Sequence, residues 1–166
     1  MNLIAAADAM WGIGMNGKLL VSIPEDMKYF RRMTTGKTVI LGRKTLQTFP
    51  QGKPLRDRRN IILSRDPSFK AEGAEVARSV EEALALVKEE ASEDVFVIGG
   101  ESICRAFLPY CDTAYITRLD YRYAADAYLP DLDSDEAWEK VSESEEHTYF
   151  DLIYTFDVYR RRMSAE

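Results

Sequence analysis

Short apolar runs separated by amphipathic stretches set the pattern of this chain. Residues 3–7, 38–41, 60–64, 95–98 and 114–119 are mainly apolar runs of strand length, the signature of strands buried on both faces. A helix is expected from Pro24 to about residue 34, with Ser22 and Glu25 spaced as a capping box, proline near the first turn and Gly36 as the stop. A second helix is expected over 79–91, opened by Ser79 and Glu82 and carrying Val80, Ala83, Leu84 and Val87 on one face. A third, short helix covers 102–108 after Gly99-Gly100. Over 150–158 apolar residues alternate at period two, as in antiparallel strands with one wet face, and 138–148 is the expected partner. Strands alternating with helices predict an α/β fold. Its central sheet is mostly parallel, with flanking helices and a C-terminal antiparallel hairpin. Residues 1–162 are expected to form one domain, with 163–166 as a tail. Ligands in such sheets bind beyond the carboxyl ends of the strands.

Composition narrows the function classes. At 166 residues the chain has one domain's worth of core, and 46% hydrophobic with 30% charged residues is a globular balance. No apolar run approaches the ~20 residues that span a bilayer. No basic segment precedes an apolar one at the N-terminus, so a cytoplasmic protein without a membrane partner is expected. Two cysteines and one histidine make neither a disulfide framework nor a zinc site, which favours a reducing compartment and metal-free chemistry. A net charge of −6 argues against nucleic acid as the main partner. The basic residues Lys53, Arg56, Arg58 and Arg59 are nevertheless grouped, which is compatible with a local anion site or an ordinary solvated surface.

Two nucleotide motifs are imitated and both fail on context. Gly12-Ile13-Gly14-Met15-Asn16-Gly17 satisfies G-x-G-x-x-G, yet residues 18–22 intervene before any helix and no acidic residue closes the next strand. With Lys18 the stretch nearly spells a P-loop, but Leu19 stands where a magnesium-binding hydroxyl is required. A glycine turn or a mobile active-site lid remains.

On the helix from Pro24, Asp26, Met27 and Phe30 fall on one face and Lys28, Arg31 and Arg32 on the other. A carboxylate among inward apolar residues is costly unless hydrogen-bonded or protonated, and desolvation raises its pKa. Asp26 either serves the helix dipole or is a buried functional carboxylate; Glu25 is already available for the first role.

Five blocks follow in an order that resembles the dihydrofolate reductases. They are the opening Leu3-Ile4-Ala5-Ala6, Ile13-Gly14 and Ile23-Pro24-Glu25-Asp26-Met27-Lys28-Tyr29-Phe30; Val39-Ile40-Leu41-Gly42-Arg43-Lys44-Thr45; Arg58-Arg59-Asn60-Ile61-Ile62-Leu63-Ser64; Val97-Ile98-Gly99-Gly100; and Tyr115-Ile116-Thr117-Arg118-Leu119-Asp120. The resemblance covers about residues 2–160. It implies an NADPH-dependent, monomeric oxidoreductase that reduces 7,8-dihydrofolate to tetrahydrofolate for one-carbon metabolism and binds antifolates.

The resemblance also implies roles for residues. Asp26 is then the sole ionisable pocket residue, accepting hydrogen bonds from the pterin amino group and ring N–H, with Thr117 as its hydroxyl partner. Arg58 forks onto the substrate's glutamate α-carboxylate, a geometry suited to guanidinium, with Lys53 near the same tail. Ile4, Ala5, Ala6, Met27, Phe30, Phe49, Leu55 and Ile98 wall the pterin and benzoyl ring. For NADPH, Arg43, Lys44 and Thr45 follow Gly42 at a helix N-terminus suited to phosphate. Leu63, Ser64, Arg65 and Arg78 surround the adenosine 2′-phosphate. Gly99-Gly100 resembles the family's cis-linked glycine pair, continued by Glu101, Ser102, Ile103 and Cys104. Ala6, Ile13, Gly14, Asn16, Gly17, Lys18 and Leu19 complete the cofactor site.

Two positions depart from the family. The loop ahead of Asp26 usually carries a tryptophan that holds an active-site water, whereas residues 19–21 here are Leu-Leu-Val; Val21 implies a drier pocket. Cys104 stands where a tyrosine is usual, and reads as a small buried hydrophobe. The rival readings are a same-fold pyrimidine reductase of riboflavin synthesis and a non-catalytic folate- or nucleotide-binding module. Asp26 with Thr117, and Arg58, discriminate against the first.

Overall fold

The computed structural model describes residues 1–163. Of the expected tail at 163–166, only Met163 is described, and it is exposed. The strands are β1 (Asn2–Ala7), β2 (Gly12–Gly14), β3 (Thr38–Gly42), β4 (Arg59–Leu63), β5 (Glu75–Ala77), β6 (Val95–Gly99), β7 (Thr113–Leu119), β8 (Ala127–Tyr128), β9 (Trp138–Glu143), β10 (His147–Tyr149) and β11 (Leu152–Arg161). The α-helices are α1 (Pro24–Thr34), α2 (Arg43–Gln47), α3 (Val80–Leu86) and α4 (Glu101–Phe107). One sheet runs β10-β11-β7-β1-β6-β3-β4-β5, with β9 also paired to β11, while β2 and β8 pair separately. Strands from β7 through β5 are parallel; β9, β10 and β11 supply the antiparallel edge.

The apolar runs are continuous because helices cover both faces of the parallel region. Odd and even positions then go to different cores. Leu3, Ile40, Ile61, Val97 and Ile116 pack on the face shared with Ala83, Cys104 and Phe107 of α3 and α4. Ile4, Val39, Leu41, Ile62 and Phe96 pack on the other face, against Tyr29, Phe30 and Met33 of α1 and Leu46 of α2. This second face, beneath α1, carries the candidate site.

Four local expectations change. The N-cap of α1 is Ile23 with no side-chain cap, so Ser22 and Glu25 form no capping box, and Glu25 instead meets Lys28 at 3.4 Å. Ser79 does cap α3, accepting from Glu82 N, but the helix ends at Leu86 rather than 91. The chain continues there in turns, and Glu90 beyond them receives Arg59 Nη1 at 2.9 Å. The expected partner strand over 138–148 is two strands, both paired to β11. Phe150 lies in the turn before β11, at φ 54° and 87% exposed, so the alternation begins at Leu152. No helix among the described residues is long and apolar enough to cross a membrane.

Candidate active site

Asp26 sits in the first turn of α1, and Tyr29, Phe30 and Met33 continue its face at i+3, i+4 and i+7. Met27, expected on this face, is 43% exposed; Tyr29 takes the inward place and lies 4.5 Å from the Phe156 ring. Across the cleft, β7 aligns with β1 so that Thr117 opposes Ala6. Thr117 is buried, and its Oγ1 donates to Asp26 Oδ1 at 2.6 Å. Burial raises the Asp26 pKa above 3.8, and the hydrogen bond from Thr117 offsets only part of that rise. Burial, with Tyr115 and Asp26 nearby, pushes the Tyr29 phenol up to about 12, so it stays neutral beside the carboxyl.

Ile4, Phe30, Phe49, Leu55 and Ile98 share one cluster and form an apolar wall next to this carboxyl. Ala5 does not share it; its side chain packs on the opposite core. At the far end of α1, Arg58 is half-buried, with Nη1 donating to Thr34 Oγ1 at 3.0 Å and Nε to the Arg56 carbonyl at 2.8 Å. Its Nη2 makes no hydrogen bond among the described residues. Burial lowers the Arg58 pKa, yet a guanidinium remains charged at any physiological pH. Lys53 is exposed. Asn60 was not anticipated: buried, it exchanges two 2.9 Å hydrogen bonds with the Leu55 backbone and donates to the Arg58 carbonyl, fixing the segment that presents Arg58.

At the carboxyl ends of β3, β4 and β6 lies a cleft of about 490 Å³ lined by Gly42, Arg43, Lys44 and Thr45, by Leu63, Ser64, Arg65 and Asp66, and by Gly100, Glu101, Ser102 and Ile103. Its residues fit a dinucleotide phosphate. Arg43, Lys44 and Arg65 bring positive charge, and the Gly99–Gly100 peptide, which is cis, presents bare backbone. A Cβ on Gly100 would meet Thr45 Oγ1 at 3.4 Å, and one on Gly42 would meet Ile103 at 3.0 Å. Two expected cofactor residues, Arg78 and Cys104, lie outside this lining, while Glu101 lines the cleft with its carboxylate already engaged. Arg78 directs its guanidinium to the carbonyls of Ser64, Asp66, Pro67 and Phe69, so it shapes the turn that carries Ser64 and Arg65. Glu101 is engaged by the Tyr128 backbone N–H. Cys104 is 1% exposed within the first core, and burial pushes its thiol up to about 12. Asp66, also unanticipated, lies 3.7 Å from Arg43.

The glycine segment is a hairpin, not a nucleotide loop. Gly12–Gly14 is a strand paired to β8, and Met15 and Lys18 exchange backbone hydrogen bonds of 2.9 and 3.0 Å around Asn16 and Gly17. Both central residues have positive φ, 53° and 76°, as a type I′ turn requires. Ile13 packs on the first core, whereas Asn16, Gly17, Lys18 and Leu19 are exposed. Asp126 secures the turn: its Oδ2 accepts from Asn16 N at 3.0 Å and its N–H donates to the Gly14 carbonyl at 3.0 Å. Val21 packs with Tyr123 and Tyr149 on a third cluster, Ile23, Leu119 and Tyr154. No cluster of side chains suited to a metal ion occurs among the described residues.

Residues 1–161 match the family model described as dihydrofolate reductase. Over 97% of the chain and 95% of the relative, it is 38% identical to a dihydrofolate reductase of Staphylococcus haemolyticus. A Bacillus subtilis dihydrofolate reductase is 31% identical over the full chain and 97% of the relative. Among solved structures, an Enterococcus faecalis dihydrofolate reductase complexed with NADP(H) and RAB-propyl superposes with a TM-score of 0.81 at 32% identity, covering 98% of this chain and 96% of that one.

Proposed function

The chain belongs to the dihydrofolate reductase family, and on that premise we propose how its residues divide the NADPH-dependent reduction of 7,8-dihydrofolate to 5,6,7,8-tetrahydrofolate. Bound NADPH supplies the hydride that adds to C6 of the pterin, while a proton adds at N5. Asp26 accepts hydrogen bonds from the pterin amino group and ring N–H, which orients the ring. Its negative charge favours a protonated, more electrophilic pterin. Thr117 fixes which carboxyl oxygen remains free for this, because Oδ1 is already engaged at 2.6 Å. The observation that carries the assignment is this half-buried carboxyl with a raised pKa at the edge of an apolar wall.

Ile4, Phe30, Phe49, Leu55 and Ile98 exclude water from the pterin and benzoyl ring, Ala6 lines the strand opposite Thr117, and Met27 flanks the opening. Arg58, with Lys53 nearby, holds the glutamate α-carboxylate. Arg43, Lys44 and Thr45 hold the cofactor phosphates, and Ser64 and Arg65 the 2′-phosphate, with Arg78 shaping their turn. The backbone of 99–103 and the hairpin residues 13–19 close on the remainder. Residues 1–162 act as one domain, since β1 and β11 at its two ends belong to the same sheet. The enzyme works as a cytoplasmic monomer, and antifolates occupy the pterin site. Loss of NADPH absorbance on addition of dihydrofolate, blocked by an antifolate, is the expected result; folded protein without turnover would overturn the assignment.

A further inference from the structure

One buried carboxylate takes no part in the chemistry above. Asp8, directly after β1, is 0% exposed, and main-chain donors from two distant segments satisfy it. Its Oδ1 accepts from Met10 N at 2.9 Å and Gly12 N at 2.8 Å, and its Oδ2 from Tyr123 N at 2.9 Å. Gly12 lies so close that a Cβ there would meet Ala125 Cβ at 2.8 Å and Asp8 Oδ1 at 3.1 Å. The Tyr123 ring, in turn, packs with Val21 on the Ile23 cluster. Residues 121–126 therefore touch both the entry of the 12–23 loop, at Gly12, and its exit, at Val21. Asp8 is a buried side-chain pin between segments 115 residues apart, beside the backbone bond from Ala9 N to the Tyr121 carbonyl at 3.0 Å. Three main-chain N–H groups converge on the two Asp8 carboxyl oxygens at 2.8 to 2.9 Å, so the pin is a stiff one.

We propose that Asp8 is a positioning residue for the reductase reaction: it clasps Gly12 to Tyr123 and so sets the hairpin that carries Ile13, Gly14 and Leu19 against the cofactor cleft. This rests on the reading of that hairpin as part of the NADPH site. Asp8 touches neither substrate nor cofactor, and its effect travels through two backbone N–H groups.

Asp8→Asn tests it selectively. The amide oxygen can still accept from Met10 and Gly12, but the amide NH₂ then faces the Tyr123 N–H, donor against donor. The turn survives and the clasp opens. The expected result is a rise of about tenfold in the NADPH Kd and a similar slowing of single-turnover hydride transfer, with dihydrofolate binding within about twofold of wild type. Equal losses for both ligands, or none, would overturn the proposal. Amide exchange on the wild-type protein keeps the test independent of that variant's folding. Gly12 and Tyr123 should exchange slowly and together, far more slowly than Ala124, and a Tyr123 amide as labile as Ala124 overturns the clasp. Failure of the underlying reading looks different: residues 13–19 would then show no change in exchange when NADPH is added, and the proposal falls at its premise.

Discussion

Thr117 Oγ1 donates to Asp26 Oδ1 at 2.6 Å, a bond that joins the middle of the sheet to the first turn of α1 across 91 residues of sequence. It fixes the rotamer of a carboxyl that burial drives toward its neutral form. The pair holds the carboxyl ready for a ligand at a cost in stability.

That cost is measurable. Because the folded pKa of Asp26 lies above 3.8, the folded chain holds this proton more tightly than the unfolded chain. Its contribution to stability is therefore full at low pH and is lost as pH rises from 3.8 through the folded value. Asp26→Asn, which keeps an acceptor for Thr117, should melt at a higher temperature than wild type at pH 7. Thermal melts across pH should show the gap closing under acid conditions; a gap independent of pH would contradict the assignment of burial as the cause.

Arg58→Lys removes the planar fork but keeps a charge. The KM for dihydrofolate should rise about 10- to 100-fold with kcat nearly unchanged, the pattern of lost uniform binding. A pterin substrate without the glutamate tail should not distinguish the two proteins in steady-state assays.

Val21 packs among Tyr123, Tyr149 and Ile23, in a cluster whose Tyr154 feels the Asp26 charge. Val21→Trp brings an indole N–H to this neighbourhood and should lower the apparent pKa of hydride transfer, since donors favour the carboxylate. A pH profile identical to wild type would contradict this.

Burial pushes both thiols, Cys104 and Cys111, to about 12. Neither should be alkylated by iodoacetamide at pH 8 in the native protein, and both should react on unfolding, as read by intact mass.

Much of the fold was legible because parallel strands covered on both faces leave uninterrupted apolar runs: 38–41 and 95–98 fall within β3 and β6. Asp26 stood out by helical periodicity, but that periodicity does not say which of Met27 and Tyr29 turns inward; packing against Phe156, contributed by β11, decides it. Asn16-Gly17 is a strong hairpin signal that the flanking sequence hides, because β2 before it is only three residues long and after it the turn is closed by the single bridge of Met15 to Lys18, with no strand to alternate. The roles of Asp8, Asn60 and Arg78 were not legible. Each depends on main-chain groups that the fold alone brings near, and residue type carries no trace of them.

The most direct test of the account is single-turnover hydride transfer from NADPH to dihydrofolate in wild type and Asp26→Asn, across pH. The Asn protein should bind NADPH normally yet transfer hydride about 10²- to 10⁴-fold more slowly at neutral pH, with the wild-type titration abolished. A folded Asp26→Asn protein that keeps the wild-type rate and pH profile would contradict the role of Asp26.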